Sequence, residues 1–236
     1  MKTIIRTIRM AGYAVLFSAC GFGVQANLIQ DPGFEQPVAG PGGFNTGYLA
    51  FNVGSTIGGA WTVIGSPSGD VALTPSTEYT YTVGPIITFT AQEGAQWLDL
   101  TGNTDSGAAT GVQQTFPTVA GRPYSLSFYV GAVTTPDWAP DQGNAAVNVL
   151  LNGTAFQTSI NNDPSGDTMD WKQFNYTFTA TSASTTLAFI NAVPAGEGAN
   201  GVDNVTVVAA PEPGTWNLLA LGLGTLFAVA RRHKSI

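Results

Sequence analysis

Val147-Asn148-Val149-Leu150-Leu151-Asn152-Gly153-Thr154-Ala155-Phe156 decides the fold. Two strand-like runs flank Asn152-Gly153, a pair that accepts the positive φ angles of a tight primed turn, so the stretch reads as a β-hairpin. The same pattern extends outward from it. Tyr124, Leu126, Phe128 and Val130 alternate with Ser125, Ser127 and Tyr129, and Phe174, Tyr176 and Phe178 alternate with Gln173, Asn175 and Thr177. Leu187 and Phe189 face one way, and Val205 and Val207 do likewise. A period of two, rich in Val, Phe, Tyr and Thr, marks strands with one buried face. No segment between Asn27 and Ala210 sustains a helical period, and Gly, Pro, Asn and Ser punctuate the strands. This predicts an all-β domain, a two-sheet sandwich of the jelly-roll type. The Gly-rich stretch from Val38 to Gly59 reads as extended loop or irregular edge, and Gly131 to Asn144 as a second long loop.

The two ends of the chain differ from this middle. Lys2, Arg6 and Arg9 precede an apolar run from Met10 to Phe17, and Val24-Gln25-Ala26 offers the small residues that signal peptidase prefers. This is a secretory leader, cut after Ala26. A rival cut lies before Cys20, where Leu16-Phe17-Ser18-Ala19-Cys20 loosely resembles a lipoprotein signal, although Phe17 fits that pattern poorly. Cys20 is the only cysteine, so the preferred cut leaves no disulfide framework. At the other end, Pro211, Glu212 and Pro213 break the regular pattern. Thr215 to Ala230 then carries no charge, and Arg231, Arg232, His233 and Lys234 crowd the terminus. An uncharged run of this length is at the short end of what spans a bilayer as a helix, and the basic cluster would stay cytoplasmic.

Pro211-Glu212-Pro213-Gly214-Thr215-Trp216, the apolar span and the Arg-rich end, in that order, resemble the PEP-CTERM sorting signal of exported bacterial proteins. The resemblance implies cleavage by an exosortase after transient anchoring in the inner membrane. It divides the chain into a signal peptide (1–26), a β-sandwich (27–210) and a sorting segment (211–236).

Charge is unevenly distributed among these parts. Fourteen of the fifteen acids but only two basic residues, Arg122 and Lys172, lie between 27 and 210, a net charge of −12. Such a surface repels nucleic acid and anionic headgroups, and it suits solubility outside the cell or divalent cations. The lone histidine, His233, lies in the basic tail. The domain therefore has no histidine and no cysteine, which excludes Ser-His-Asp and Cys-His nucleophile systems and removes the usual zinc ligands. The remaining enzymatic route is a pair of carboxylates acting on a glycosidic bond.

Asn27-Leu28-Ile29-Gln30-Asp31-Pro32-Gly33-Phe34-Glu35 resembles the opening strand of galactose-binding-like domains, with Asp31-Pro32-Gly33 where an Asn-Gly pair is usual. Trp61-Thr62-Val63 resembles the tryptophan that follows in many of them, and Gly201-Val202-Asp203-Asn204-Val205-Thr206-Val207 their closing strand. Glu93-Gly94-Ala95-Gln96-Trp97-Leu98-Asp99-Leu100 and Gly111-Val112-Gln113-Gln114-Thr115-Phe116 are similar to the plant cell-wall-associated branch of unknown function. The resemblance is to non-catalytic modules, so no enzyme is expected. It implies a structural calcium joining the first and last strands, with Glu35 and Asp203 among its ligands. Calcium takes six to eight oxygens, and carboxylates from distant strands can supply part of that set. The alternative for both acids is acceptance of backbone hydrogen bonds at the sheet edge.

Sugar binding commonly joins an aromatic ring, for the C–H faces, to polar groups for the hydroxyls. Trp138, in the polar loop Pro136-Asp137-Trp138-Ala139-Pro140-Asp141, is the best platform, followed by Tyr79 and Tyr81. A ring folded back as a hydrophobic lid is the competing role for Trp138. Trp61 and Trp97 sit in strand-like runs and read as core. The expectation is an exported, non-catalytic protein of the envelope surface or extracellular matrix, with a polysaccharide as partner. A purely structural envelope protein is the alternative, and a carboxylate-based hydrolase the more remote one.

Overall fold

The computed structural model describes residues 25–39, 47–76, 80–81, 87–103, 109–133, 144–162, 168–193, 199–211 and 222–223. The signal peptide, all but residues 222–223 of the C-terminal apolar helix, Glu212, Pro213, Tyr79, Trp138 and the side chain of Tyr81 lie outside the described residues.

Two antiparallel sheets face each other, as the alternation predicts. The first contains β1 (Leu49–Asn52), β4 (Asp70–Pro75), β7 (Gln96–Asp99), β14 (Gly201–Ala209), β9 (Pro123–Ala132) and β12 (Asp170–Thr179), in that spatial order. The second runs β11 (Thr154–Asn161), β10 (Ala145–Leu151), β13 (Ser184–Asn191), β8 (Gly111–Pro117), β3 (Trp61–Ile64) and β2 (Thr56–Ile57). A separate two-residue pairing joins β5 (Thr80–Tyr81) to β6 (Ile87–Thr88). Among the described residues no helix is long and apolar enough to cross a membrane.

The inward residues are those that the period of two selects. Tyr124, Leu126, Phe128, Val130, Leu187, Phe189, Val205 and Val207 are all buried. Phe34, Trp61, Phe189 and Phe128 form a continuous line of rings, with centroids 5.1, 6.1 and 4.8 Å apart, that ties the opening segment to both sheets. Each such ring contributes ~1.5–3 kcal/mol by burial. The hairpin turn is as read: Asn152 and Gly153 have φ of 51° and 76°, both in the left-handed region.

Two expectations are adjusted. The opening stretch forms no regular strand, because Asp31 Oδ1 accepts from the Glu35 backbone N–H at 2.7 Å and curls the chain, with Asp31 and Phe34 at positive φ. It still lines β14, with the Leu28 N–H donating to the Val207 carbonyl at 2.9 Å. Trp97 is buried, but in a second apolar cluster with Phe89, Val133 and Met169, not in the main core. Gly131 and Gly201 face each other in register, and their lack of side chains lets the Trp171 ring lie over them against Trp97.

Candidate functional site

The opening and closing motifs converge where the segment Gln92–Gln96 folds over them. Asp203, fully buried on β14, accepts at Oδ2 from the backbone N–H groups of Gln92 at 2.9 Å and Glu93 at 3.0 Å. Its Oδ1 accepts from Asn204 N–H at 2.7 Å. Half-buried Glu35 accepts at Oε1 from Ala95 N–H at 3.0 Å and Gln96 N–H at 3.3 Å. Gly94 makes this crossing possible: its φ is +68°, and an added Cβ would stand 2.1 Å from Glu35 Oε1. Burial, with the Glu35 charge nearby as a lesser cause, pushes the Asp203 carboxyl up to about 7. Burial also raises Asp31, against the hydrogen bonds it accepts from Glu35 and Gln36.

The structure thus brings Glu35 and Asp203 together, as the resemblance implies, and also gives both acids the backbone donors of the alternative reading. A Cβ-sized point above Gly33 lies 3.7 Å from Asp203 Oδ1 and 3.9 Å from Glu35 Oε1, so one small group there would touch both carboxylates. The donor set is oxygen only, which fits a hard cation. Among the described residues, no group of three or more His, Cys, Asp or Glu side chains could hold a metal. The remaining ligands of any cation here would be carbonyls and water.

A second feature was not visible before the strands were assigned to sheets. The six strands of the second sheet contain no charged residue. In the first sheet they include Asp70, Asp99, Asp170, Lys172 and Asp203. The outer face of the second sheet carries two cross-strand rows. One is Thr62, Gln113, Ala188, Leu150 and Ala155; the other is Ile64, Gly111, Ile190, Asn148 and Thr158. Thr115 and Thr186 also pair there, with hydroxyls 2.7 Å apart. The absence of charge is legible residue by residue, but its confinement to one sheet depends on strand order.

Residues 209–234 match the PEP-CTERM protein-sorting motif, which implies an exported protein that is transiently membrane-anchored. No curated protein matches the chain. Among solved structures, a carbohydrate-binding module of family 4 is 19% identical, with 77% of this chain and 99% of that one covered and a TM-score of 0.36. A family 22 carbohydrate-binding module of Clostridium thermocellum is 14% identical, over 69% of this chain and 92% of that one, with a TM-score of 0.44. A family 61 module solved with β-1,4-galactotriose is 13% identical, over 78% and 99%, with a TM-score of 0.40.

Proposed function

We propose that this chain is an exported, non-catalytic β-sandwich that binds a neutral polysaccharide of the extracellular matrix through the outer face of its second sheet. The observation behind this reading is the charge-free sheet in a domain of net charge −12. A charged ligand would be met by a fixed counter-charge, and the face has none. A neutral, hydroxyl-rich chain would instead meet the amides of Gln113 and Asn148, the hydroxyls of Thr62, Thr115 and Thr158, and apolar patches at Ile64, Leu150 and Ile190. Trp138 lies in the segment that joins β9 to β10 of this sheet, so it remains the proposed ring platform, with Tyr79 and Tyr81 as further contacts. Signal peptidase and an exosortase are the proposed processing partners.

The test is affinity electrophoresis of the protein recovered from its native compartment, through gels holding neutral or anionic polymers. Retardation by a neutral glycan that persists in high salt, and is weakened by Trp138→Ala or by Gln113→Ala with Asn148→Ala, supports the reading. Free migration through every polymer would leave a purely structural surface protein.

A calcium ion held by Glu35 and Asp203 is the proposed cofactor. It would neutralise two adjacent carboxylates and clamp the opening segment to β14 in a domain without disulfides. The buried carboxylate pair supports it, and calcium-dependent melting tests it.

A further inference from the structure

The two flanks of the sandwich differ. One ends in β1 and β2, strands of four and two residues. The other ends in β11 and β12, of eight and ten residues. Soluble proteins ordinarily blunt an edge strand with charge, proline or shortness, because its backbone is a template for another chain. β11 has none of these: Thr154-Ala155-Phe156-Gln157-Thr158-Ser159-Ile160-Asn161 is uncharged, and Ile160 is 47% exposed. On β12 the charges Asp170 and Lys172 sit at one end, leaving Gln173 to Thr179 neutral. A groove of about 490 Å³ opens between these edges, lined by Leu151, Phe156, Phe178, Thr177, Thr179 and Thr181 among others. Phe156 is the extra residue where the β10–β11 register shifts, partly exposed and edge-on to Tyr176 at 5.8 Å.

We propose that this flank is a self-association surface, on which β11 pairs antiparallel with β11 of a second copy and closes the Phe156 groove. Charge selects a second copy as the occupant. Two domains of net charge −12 repel wherever their acids approach. Pairing through β11 brings together only strands that carry none. A two-fold axis places the same patch on both copies, and edge pairing supplies main-chain hydrogen bonds along the strand. The second sheet then continues from one copy into the other, so its uncharged outer face doubles in width. The pairing stands whether or not that face binds a polymer.

Sedimentation velocity on the protein recovered from its native compartment, over a wide concentration range, tests this. The expected result is twice the monomer mass, lost when Ala155→Lys and Gln157→Lys place like charges along the shared edge. Both positions are exposed, so an unchanged melting temperature separates lost pairing from lost folding. In the full chain, Thr158→Cys should give a disulfide-linked dimer, whereas Ser125→Cys, on the outer face of the first sheet, should not. A monomer at every concentration overturns the proposal, as does a dimer indifferent to the lysines. A mass increase seen only with polymer present would assign the flank to the polymer and also overturn it. Polymer retention by a monomeric lysine variant would leave the polysaccharide reading standing alone.

Discussion

Glu35 and Asp203 come from opposite ends of the domain, yet one short segment serves both. Ala95 N–H reaches Glu35 Oε1 at 3.0 Å, and Gln92 N–H reaches Asp203 Oδ2 at 2.9 Å. Gln92–Gln96 therefore acts as a strap, and the acids are as important to it as it is to them. A backbone N–H buried without an acceptor is costly, and here the acceptors are supplied by side chains from elsewhere in the chain.

Asp203→Ala removes the acceptor from Gln92 and Glu93 at once. The expected loss is about 2–4 kcal/mol at pH 5, since each buried donor left unpaired costs roughly 1–3 kcal/mol. Urea unfolding of the two proteins checks it. A loss within experimental error would mean that water satisfies the strap.

The pH dependence of the calcium-free protein follows from the same acid. Its folded pKa, about 7, lies above its ordinary value of 3.8, so between these values the folded chain holds a proton that the unfolded chain releases. This contribution to stability is fully present below about pH 4 and is lost as pH rises through 7. With chelator present, the melting temperature should fall between pH 5 and pH 8, and Asp203→Asn should flatten that slope. Calcium, which competes with the proton for the same carboxylates, should restore stability most at pH 8. Identical melting curves with calcium and with chelator at pH 8 would remove the cofactor proposal.

Gly131 and Gly201 should not tolerate a side chain. A Cβ on Gly131 would stand 2.8 Å from Trp171 Cζ3 and 2.9 Å from Met169 Sδ, and one on Gly201 would meet Trp171 Cη2 at 2.8 Å. The ring cannot move freely, because its Nε1–H donates to the Thr90 carbonyl at 2.8 Å and its edge packs on Trp97. Gly201→Ala is expected to cost about 1–3 kcal/mol, as overpacking does. Near-UV circular dichroism should show the Trp97–Trp171 pair disturbed before global unfolding.

The sequence made the sandwich legible because its strands alternate cleanly, as Tyr124 to Val130 and Phe174 to Phe178 show. It made the meeting of Glu35 and Asp203 legible through the family resemblance, not through local pattern. Three things were hidden. The Asp31 turn breaks the opening strand, and it rests on a side-chain hydrogen bond rather than on periodicity. Trp97 and Trp171 form a satellite core because two glycines happen to fall opposite each other in register. The charge-free face requires knowing that β3, β8, β10, β11 and β13 share one sheet, a long-range fact that no window of sequence contains.

The hairpin separates backbone conformation from side-chain attachment. Gly153 has φ of +76° and open space where a Cβ would go, so Gly153→Ala tests conformation alone and should cost about 1 kcal/mol. Asn152 has a further role: its Oδ1 accepts from Thr186 N–H at 2.8 Å, which ties the turn to β13. Asn152→Ala should therefore cost more than Gly153→Ala, and Asn152→Gly, which keeps the φ preference and loses the tie, should fall between wild type and Asn152→Ala. Equilibrium unfolding of the three variants orders them. If Asn152→Gly proves as stable as the parent, the turn is held by its φ angles and the bond to Thr186 adds nothing.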